Sequence, residues 1–426
     1  MVERIAIISE HASPLATLGG VDSGGQNVYV GQIAKHLAAL GCKVDIFTRR
    51  NNECMPEIVR SINGVRIVHV RAGPTRFVRK EDLLPFMAEF ADNLLAFCRR
   101  QTRPYDVLHA NFFMSGMAAM HIKRHLRIPF VITFHALGRV RRLHQKDADE
   151  FPEERPLIEK RIIAAADKVI AECPQDKEDM IRLYRAKPSK IAVVPCGFDP
   201  MELWPVDKSD ARAVLNLDPN DRIVLQLGRM VPRKGVDIVI RALSLLAKTY
   251  GIDAKLLVVG GDSDRPDTTA TPEIGRLQRI AEAEGIGERV IFAGRCRRGV
   301  LRYYYSAADI FVTTPWYEPF GITPVEAMAC GVPVVGAAVG GIKTTVCDGE
   351  TGFLVPPHAP EATAERLARL FTQPVFMRLF GTAGLKRAHD YFTWAKVTDR
   401  LASVYASAAQ GASRDLAGRA LRKRAS

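Results

Sequence analysis

Two doubly wound α/β domains, set face to face with a cleft between them, are what this sequence predicts. Three observations carry that expectation. The chain has 426 residues, beyond the roughly 250–300 residues at which single cores stop growing. Short apolar runs alternate with amphipathic stretches through both halves. The runs are apolar at consecutive positions rather than at every second one, as strands covered on both faces by helices are.

In the first half the runs RIAIIS, KVDIFTR, VRIVHV, DVLHA, PFVITFH, KVIAE and KIAVVP read as strands. A helix is expected over Gln26–Leu40, with Ile33, Leu37 and Leu40 on one face and Gly41 as its stop. The second half repeats the plan with RIVLQLG, KLLVVGG, VIFAG, IFVTTP and VPVVGA. The proline-rich stretch Pro195–Lys208 is the expected joint. The domains expected are 1–197, 198–390, and a terminal segment 391–426 made of a helix packing back toward the first domain and a fraying basic tail.

Apolar residues make up 47% and charged residues 25%, a soluble globular profile. The net charge of +13 suits either anionic small-molecule partners or a solvated basic surface. Nucleic acid is not among the expected partners. Eight cysteines are scattered, with no C-x-x-C and no zinc spacing, so no metal is expected, and no cofactor is expected either. The opening residues read as a strand rather than a leader, and no apolar run nears the ~20 residues of a membrane span. A cytoplasmic protein is expected, with any membrane contact peripheral, at the inner face and through the basic tail.

Ligands in such folds bind beyond the carboxyl ends of the strands, and four loops there hold suggestive residues. Gly19–Asn27 places four glycines, Gly24 and Gly25 among them, before a helix, where bare N–H groups can meet an anion. A flexible turn is its plainer reading. Thr133–Arg142 sets His135 at a strand end ahead of a basic loop, while His109 reads as a packing residue. Gly228–Leu243 flanks a turn with Arg229 and Lys234, a fork and a point charge that suit a diphosphate.

The fourth loop is YEPFGITPVE, Tyr317–Glu326. Thr323–Glu326 fits an S/T-x-x-E capping box with Pro324 at the first helical position. Capping and ligand binding therefore both stand for Glu326. Glu318 has no capping duty, because Pro319 and Gly321 make its surroundings non-helical. Phe320, Gly321 and Ile322 would present N–H groups at the helix start. Two carboxylates flanking an anion site suit a ligand with phosphate in the middle and diols at both ends.

With Glu318 and Glu326 at Glu-x7-Glu spacing, GRMVPRKG as a Gly-Arg…Lys-Gly loop, and ACGVPVVGAAVGGIKTTVCDGETGFLV continuing the pattern, the chain resembles the retaining family 4 glycosyltransferases. DSGGQNVYV and FHALGR look like the sucrose-phosphate synthases among them, and NVYV also like the mycothiol enzyme that glycosylates inositol 3-phosphate. The resemblance implies the GT-B arrangement of two facing Rossmann-like domains. It implies transfer of a hexose, with UDP-glucose favoured as the nucleotide-sugar donor, to a small, anionic or lipid-linked acceptor. Glu326 would hold ribose and Glu318 the donor sugar, beside Phe320, Gly321 and Ile322. Arg229 and Lys234 would neutralise the diphosphate, Gly24 and Gly25 would approach it, and His135 would touch the sugar near its reacting carbon. Gln26, Lys80, Arg139, Arg141 and Arg155 fall where relatives bind the acceptor. Phe112 and Ala136 depart from the pattern, which has hydroxyl-bearing residues there.

A sucrose-phosphate synthase proper, or a GDP-mannose or UDP-sugar transferase for a lipid-linked or polysaccharide acceptor, would share the motifs. A nicotinamide dehydrogenase would need G-x-G-x-x-G with an acid about 20 residues on, and no such pair occurs. A noncatalytic nucleotide-sugar-binding subunit would not need His135, Arg229, Lys234 and both glutamates intact.

Overall fold

The computed structural model describes residues 2–15, 24–60 and 64–424, with side chains as far as residue 412. The chain divides into two compact units at Pro195/Cys196. One holds the N-terminal strand, Gly25–Pro195 and the segment from Trp394 onward; the other holds Gly24 and Cys196–Thr393.

In the first unit the strands are β1 (Arg4–Ile8), β2 (Lys43–Arg49), β3 (Ile58–Arg60), β4 (Val65–Val70), β5 (Val107–Asn111), β6 (Phe130–Thr133), β7 (Lys168–Ala171) and β8 (Ile191–Val193). They form one sheet in the order β3-β4-β2-β1-β5-β6-β7-β8. Every pairing is parallel except β3 with β4. Every residue is buried along β5 and β6, polar His109 and Asn111 included, because helices lie on both sheet faces. The expected first helix spans Gly25–Ala39 and buries Tyr29, Val30, Ile33, Ala34 and Leu37. Leu40, expected in its core face, lies beyond its end and is exposed.

The second unit carries β9 (Ile223–Leu227), β10 (Lys255–Val259), β11 (Val290–Gly294), β12 (Ile310–Thr313), β13 (Val334–Ala337) and β14 (Gly352–Val355). Their order is β11-β10-β9-β12-β13-β14, all parallel. Strand order reverses between β1 and β5 in one sheet and between β9 and β12 in the other. Those reversals open a crevice at the carboxyl ends of the strands, the usual ligand position of an open α/β sheet.

The last helix runs from Trp394 to Arg424, so the tail expected to fray continues the helix. It belongs to the first unit, where Trp394, Val397, Leu401 and Tyr405 are buried. Trp394 meets the Tyr29 ring edge-on at 5.8 Å. Of the eight free cysteines, Cys98, Cys173, Cys196 and Cys330 are buried and Cys54 is exposed. No described helix is long and apolar enough to cross a membrane.

Candidate active site

In the second unit the candidate residues gather on the loops after β9, β12 and β13. A short turn, Pro232–Lys234, follows β9 and ends at Gly235 with φ 68°, where the helix Val236–Tyr250 begins. A Cβ on Gly235 would lie 2.0 Å from the Thr314 carbonyl oxygen, so only glycine fits. Thr314 Oγ1 donates to Gly235 O at 2.7 Å, and Trp316 N donates to Arg233 O at 2.9 Å. The loops after β9 and β12 are thus tied together at the order reversal. The loop after β13 approaches as closely. Gly341 N donates to Glu318 O at 3.1 Å, and a Cβ on Gly340 would lie 1.8 Å from that same oxygen.

This frame brings Lys234 to Glu318, 84 residues away, and the ammonium donates to Glu318 Oε2. Burial, with Arg233 and Arg229 adding to it, pushes the Lys234 ammonium below its ordinary value despite Glu318. Burial pushes the Glu318 carboxyl up, but Lys234, Arg233 and Arg229 outweigh it and hold the carboxyl below its ordinary value. Three cations surround one carboxylate beside the N-terminus of a helix. Such a place has a net attraction for an anion.

Glu326 lies on the helix Ile322–Ala329, which starts after Gly321 at φ 87°. The capping box, one of the two readings open for Glu326, does not form. Gly321 turns the chain into the helix early, so Thr323 is already its second residue, and no side chain caps the start. Glu326 instead faces inward, 3% exposed. Its Oε1 accepts from Arg298 Nη1 at 3.2 Å and its Oε2 from the Tyr305 hydroxyl at 2.8 Å. Arg298 also donates to Glu202. Burial pulls the Arg298 guanidinium down, but Glu326 and Glu202 together raise it above its ordinary value. Phe320 is buried with its ring edge-on to Phe392 at 5.9 Å.

In the first unit the candidates sit at the carboxyl ends of β1, β5 and β6. Gly25 opens its helix, while Gly24, the residue before it, groups with the second unit; Gly19 to Ser23 lie outside the described residues. Gln26 Nε2 donates to Ser9 Oγ at 3.1 Å and to Asn111 O at 3.3 Å. His135 takes a left-handed backbone, φ 57°, just past β6. Its Nδ1 lies 3.0 Å from Glu172 Oε1 and its Nε2 3.0 Å from Asn111 Oδ1. His109 is a core residue, bonded to the Tyr405 hydroxyl at 2.7 Å and to Thr133 Oγ1 at 2.9 Å.

Two of the arginines expected at the acceptor are neutralised within their own unit. Arg141 Nε donates to Asp149 Oδ1 at 3.0 Å. Arg155 is 1% exposed; its Nε donates to Glu159 Oε1 at 2.8 Å, and its guanidinium lies 4.8, 4.9 and 4.5 Å from the Phe112, Phe113 and Phe151 rings. In this arrangement Arg155 is closed off from solvent and holds the turn after His135, because it also donates to Ala136 O. The pairing is an i,i+4 one on the helix Arg155–Ala165, a spacing readable from the sequence. Glu159 further accepts from Gly138 N at 3.1 and 3.0 Å and from the Tyr184 hydroxyl. Arg139 N donates to that hydroxyl at 2.9 Å, and Arg139 Nη1 to Leu183 O at 2.7 Å. Lys80 Nζ lies 3.6 Å from the Glu81 carboxylate.

Sequence reasoning missed Glu10, Asn111, Glu159, Glu172, Arg298 and Tyr305. Glu10 is buried, with Oε1 2.7 Å from His11 Nδ1, while Ser115 donates to its Oε2. Except for Arg155 with Glu159, and Glu10 with its neighbour His11, no local pattern announces these contacts.

Known proteins share this architecture and sequence. The profile described as Glycosyltransferase Family 4 matches residues 23–202, and that described as Glycosyl transferases group 1 matches residues 207–387. D-inositol 3-phosphate glycosyltransferase 1 of Catenulispora acidiphila is 38% identical over 413 residues, 96% of each chain. The D-inositol 3-phosphate glycosyltransferase of Streptomyces bingchenggensis is 35% identical over 415 residues, 96% of this chain and 90% of its own. Among solved structures, sucrose-phosphate synthase from Thermosynechococcus elongatus superposes with a TM-score of 0.86 at 33% identity, over 95% of this chain and 98% of its own. With a profile match in each half and relatives spanned nearly end to end, the chain belongs to the family 4, group 1 glycosyltransferases and has their GT-B fold.

Proposed function

We propose that the protein is a retaining hexosyltransferase. It moves a hexose from a nucleoside-diphosphate sugar, UDP-glucose foremost, to a hydroxyl of a small anionic acceptor. The observation that carries this reading is the cluster of Arg229, Arg233 and Lys234 around Glu318 at the order reversal of the second sheet. A diphosphate would meet Arg229 and Lys234, with Lys234 exchanging Glu318 for a phosphate oxygen. Glu318 would then turn to the hydroxyls of the donor sugar, and Glu326, held by Arg298 and Tyr305, to the ribose diol. His135 would meet the sugar near its reacting carbon.

In the proposed step the acceptor oxygen bonds to the anomeric carbon on the face from which the diphosphate leaves. The diphosphate keeps the electron pair of the broken bond, and one of its oxygens takes the acceptor's proton. Fixed cations and N–H groups stabilise the charge that grows there, which is the largest lever such a site has. The reading asks for no resident metal.

The acceptor is proposed to be anionic and different from fructose 6-phosphate. The names of the relatives each contain a phosphorylated small molecule, which supports an anion. Phe112 and Ala136 lack hydroxyls, and Phe112, Phe113 and Phe151 form one aromatic group, which supports a more apolar pocket. The test supplies UDP-glucose or GDP-mannose with fructose 6-phosphate, inositol 3-phosphate, sugar acids or lipid-linked sugars. Released nucleoside diphosphate is measured, and the product linkage is read by proton NMR. Efficient use of fructose 6-phosphate would overturn the acceptor proposal, and an inverted linkage would overturn retention.

A further inference from the structure

His135 is gripped at both ring nitrogens by groups outside the expected site. Glu172, at the carboxyl end of β7, places Oε1 3.0 Å from Nδ1. Asn111, at the end of β5, places its acceptor Oδ1 3.0 Å from Nε2, while its Nδ2 donates to Ile8 O and His109 O. The Tyr29 ring packs edge-on to the imidazole at 4.9 Å. The two side chains of the Glu172 pair are 11% and 4% exposed. Both partners are acceptors, a carboxylate oxygen at Nδ1 and an amide oxygen at Nε2, and the carboxylate is the stronger of the two, which favours a proton on Nδ1.

Asp176 stands behind Glu172 and accepts from its backbone N at 3.1 Å. Burial, and after it the Glu172 charge, push the Asp176 carboxyl well up. Other titratable groups near the pair are Tyr29, whose ring packs on the imidazole, Cys173, whose thiol is pushed up by burial and in part by Glu172, and His109 on β5, whose imidazole is pushed down by burial and by His135.

We propose that Glu172 is the positioning residue of His135: it fixes the proton on Nδ1, sets the rotation of the ring and balances the second proton that the ring takes from solvent at Nε2 as the pH falls. Nε2 is then the nitrogen that exchanges Asn111 for a substrate group. This rests on the reading of His135 as a contact of the donor sugar. The arrangement follows the general logic of a carboxylate that orients an imidazole and holds its tautomer.

Two measurements test it. Long-range proton–nitrogen NMR of the full chain labelled with ¹⁵N-histidine, with His135 assigned through His135→Gln, reads the tautomer without any sugar transfer. The expected pattern is a proton on Nδ1 in the wild type and its loss of preference in Glu172→Gln. The second is the pH profile of turnover with UDP-glucose. Glu172→Gln is expected to lower kcat about tenfold or more with little change in KM. It should also move the acid limb down by about one pH unit or more, because the counter-charge is gone. Glu172→Asp, which keeps the charge, should restore part of both. A wild-type ring protonated at Nε2 alone, or an unmoved acid limb in a folded Glu172→Gln protein, would overturn the proposal. Failure of sugar transfer itself leaves the NMR result standing, so the two readings fail separately.

Discussion

Acidification from pH 7 to pH 5 should cost the first unit about 2 kcal/mol through His109 alone. His109 is fully buried on β5, with its nitrogens bonded to Tyr405 and Thr133. Burial first, and the nearby His135 second, push its imidazole from the ordinary 6.5 to about 3. The unfolded chain therefore takes up a proton as the pH drops below 6.5, while the folded one waits until about 3. This contribution to stability is complete above pH 6.5 and falls as the pH goes down through that window. Each pH unit inside the window costs about 1.4 kcal/mol, which gives about 2 kcal/mol between pH 7 and 5. Urea-dependent hydrogen exchange of a peptide covering β5, at both pH values, reads the stability of this unit. His109→Gln loses two hydrogen bonds, at about 0.5–1.5 kcal/mol each, yet its stability should depend less on pH than that of the wild type. Equal pH slopes in the two proteins would refute the reasoning.

Other expectations concern the two candidate clusters. Arg229→Ala and Lys234→Ala should each lower kcat by about 10²–10³-fold; near-wild-type turnover in folded variants would remove the diphosphate assignment. Tyr305→Phe deletes one bond to the Glu326 carboxylate and should raise the donor KM by about 2–10-fold. Glu326→Gln should raise it more, and calorimetry showing unchanged donor affinity in both would leave Glu326 a purely structural residue. Glu159→Ala leaves Arg155 buried without its carboxylate, so the melt should show a loss of about 3–5 kcal/mol, and a loss below about 1 kcal/mol would mean that Arg155 finds another partner.

The twelve apolar runs expected as strands are strands, because a helix-covered parallel sheet writes itself as consecutive apolar residues. β3 and β14 escape that reading. β3 is a three-residue antiparallel edge with two exposed residues, and β14 begins at Gly352, whose O accepts from Gly349 N within the preceding turn, so turn and strand run together. Glu318 and Lys234 were legible as chemistry, from a glycine- and proline-marked turn and a basic strand end. Their contact was not, since 84 residues separate them.

Glu326 shows the boundary between the two kinds of information. The sequence supports a helix there, a carboxylate on it and a family pattern around it. It does not choose between a capping carboxylate and a buried one, because both satisfy the same four-residue pattern. The choice depends on Gly321 entering a left-handed conformation and on Arg298 and Tyr305 arriving from elsewhere in the unit. Arg141 and Arg155 show the same limit in the other direction. Their charge is written in the sequence, but whether it is available to a ligand depends on the carboxylates the fold brings to them, Asp149 and Glu159. Local sequence determined where the strands lie and which loops carry charge, because periodicity and backbone preference act over a few residues. Tertiary structure decided which charges are paired, buried or turned inward, because Coulomb attraction and desolvation act between neighbours in space.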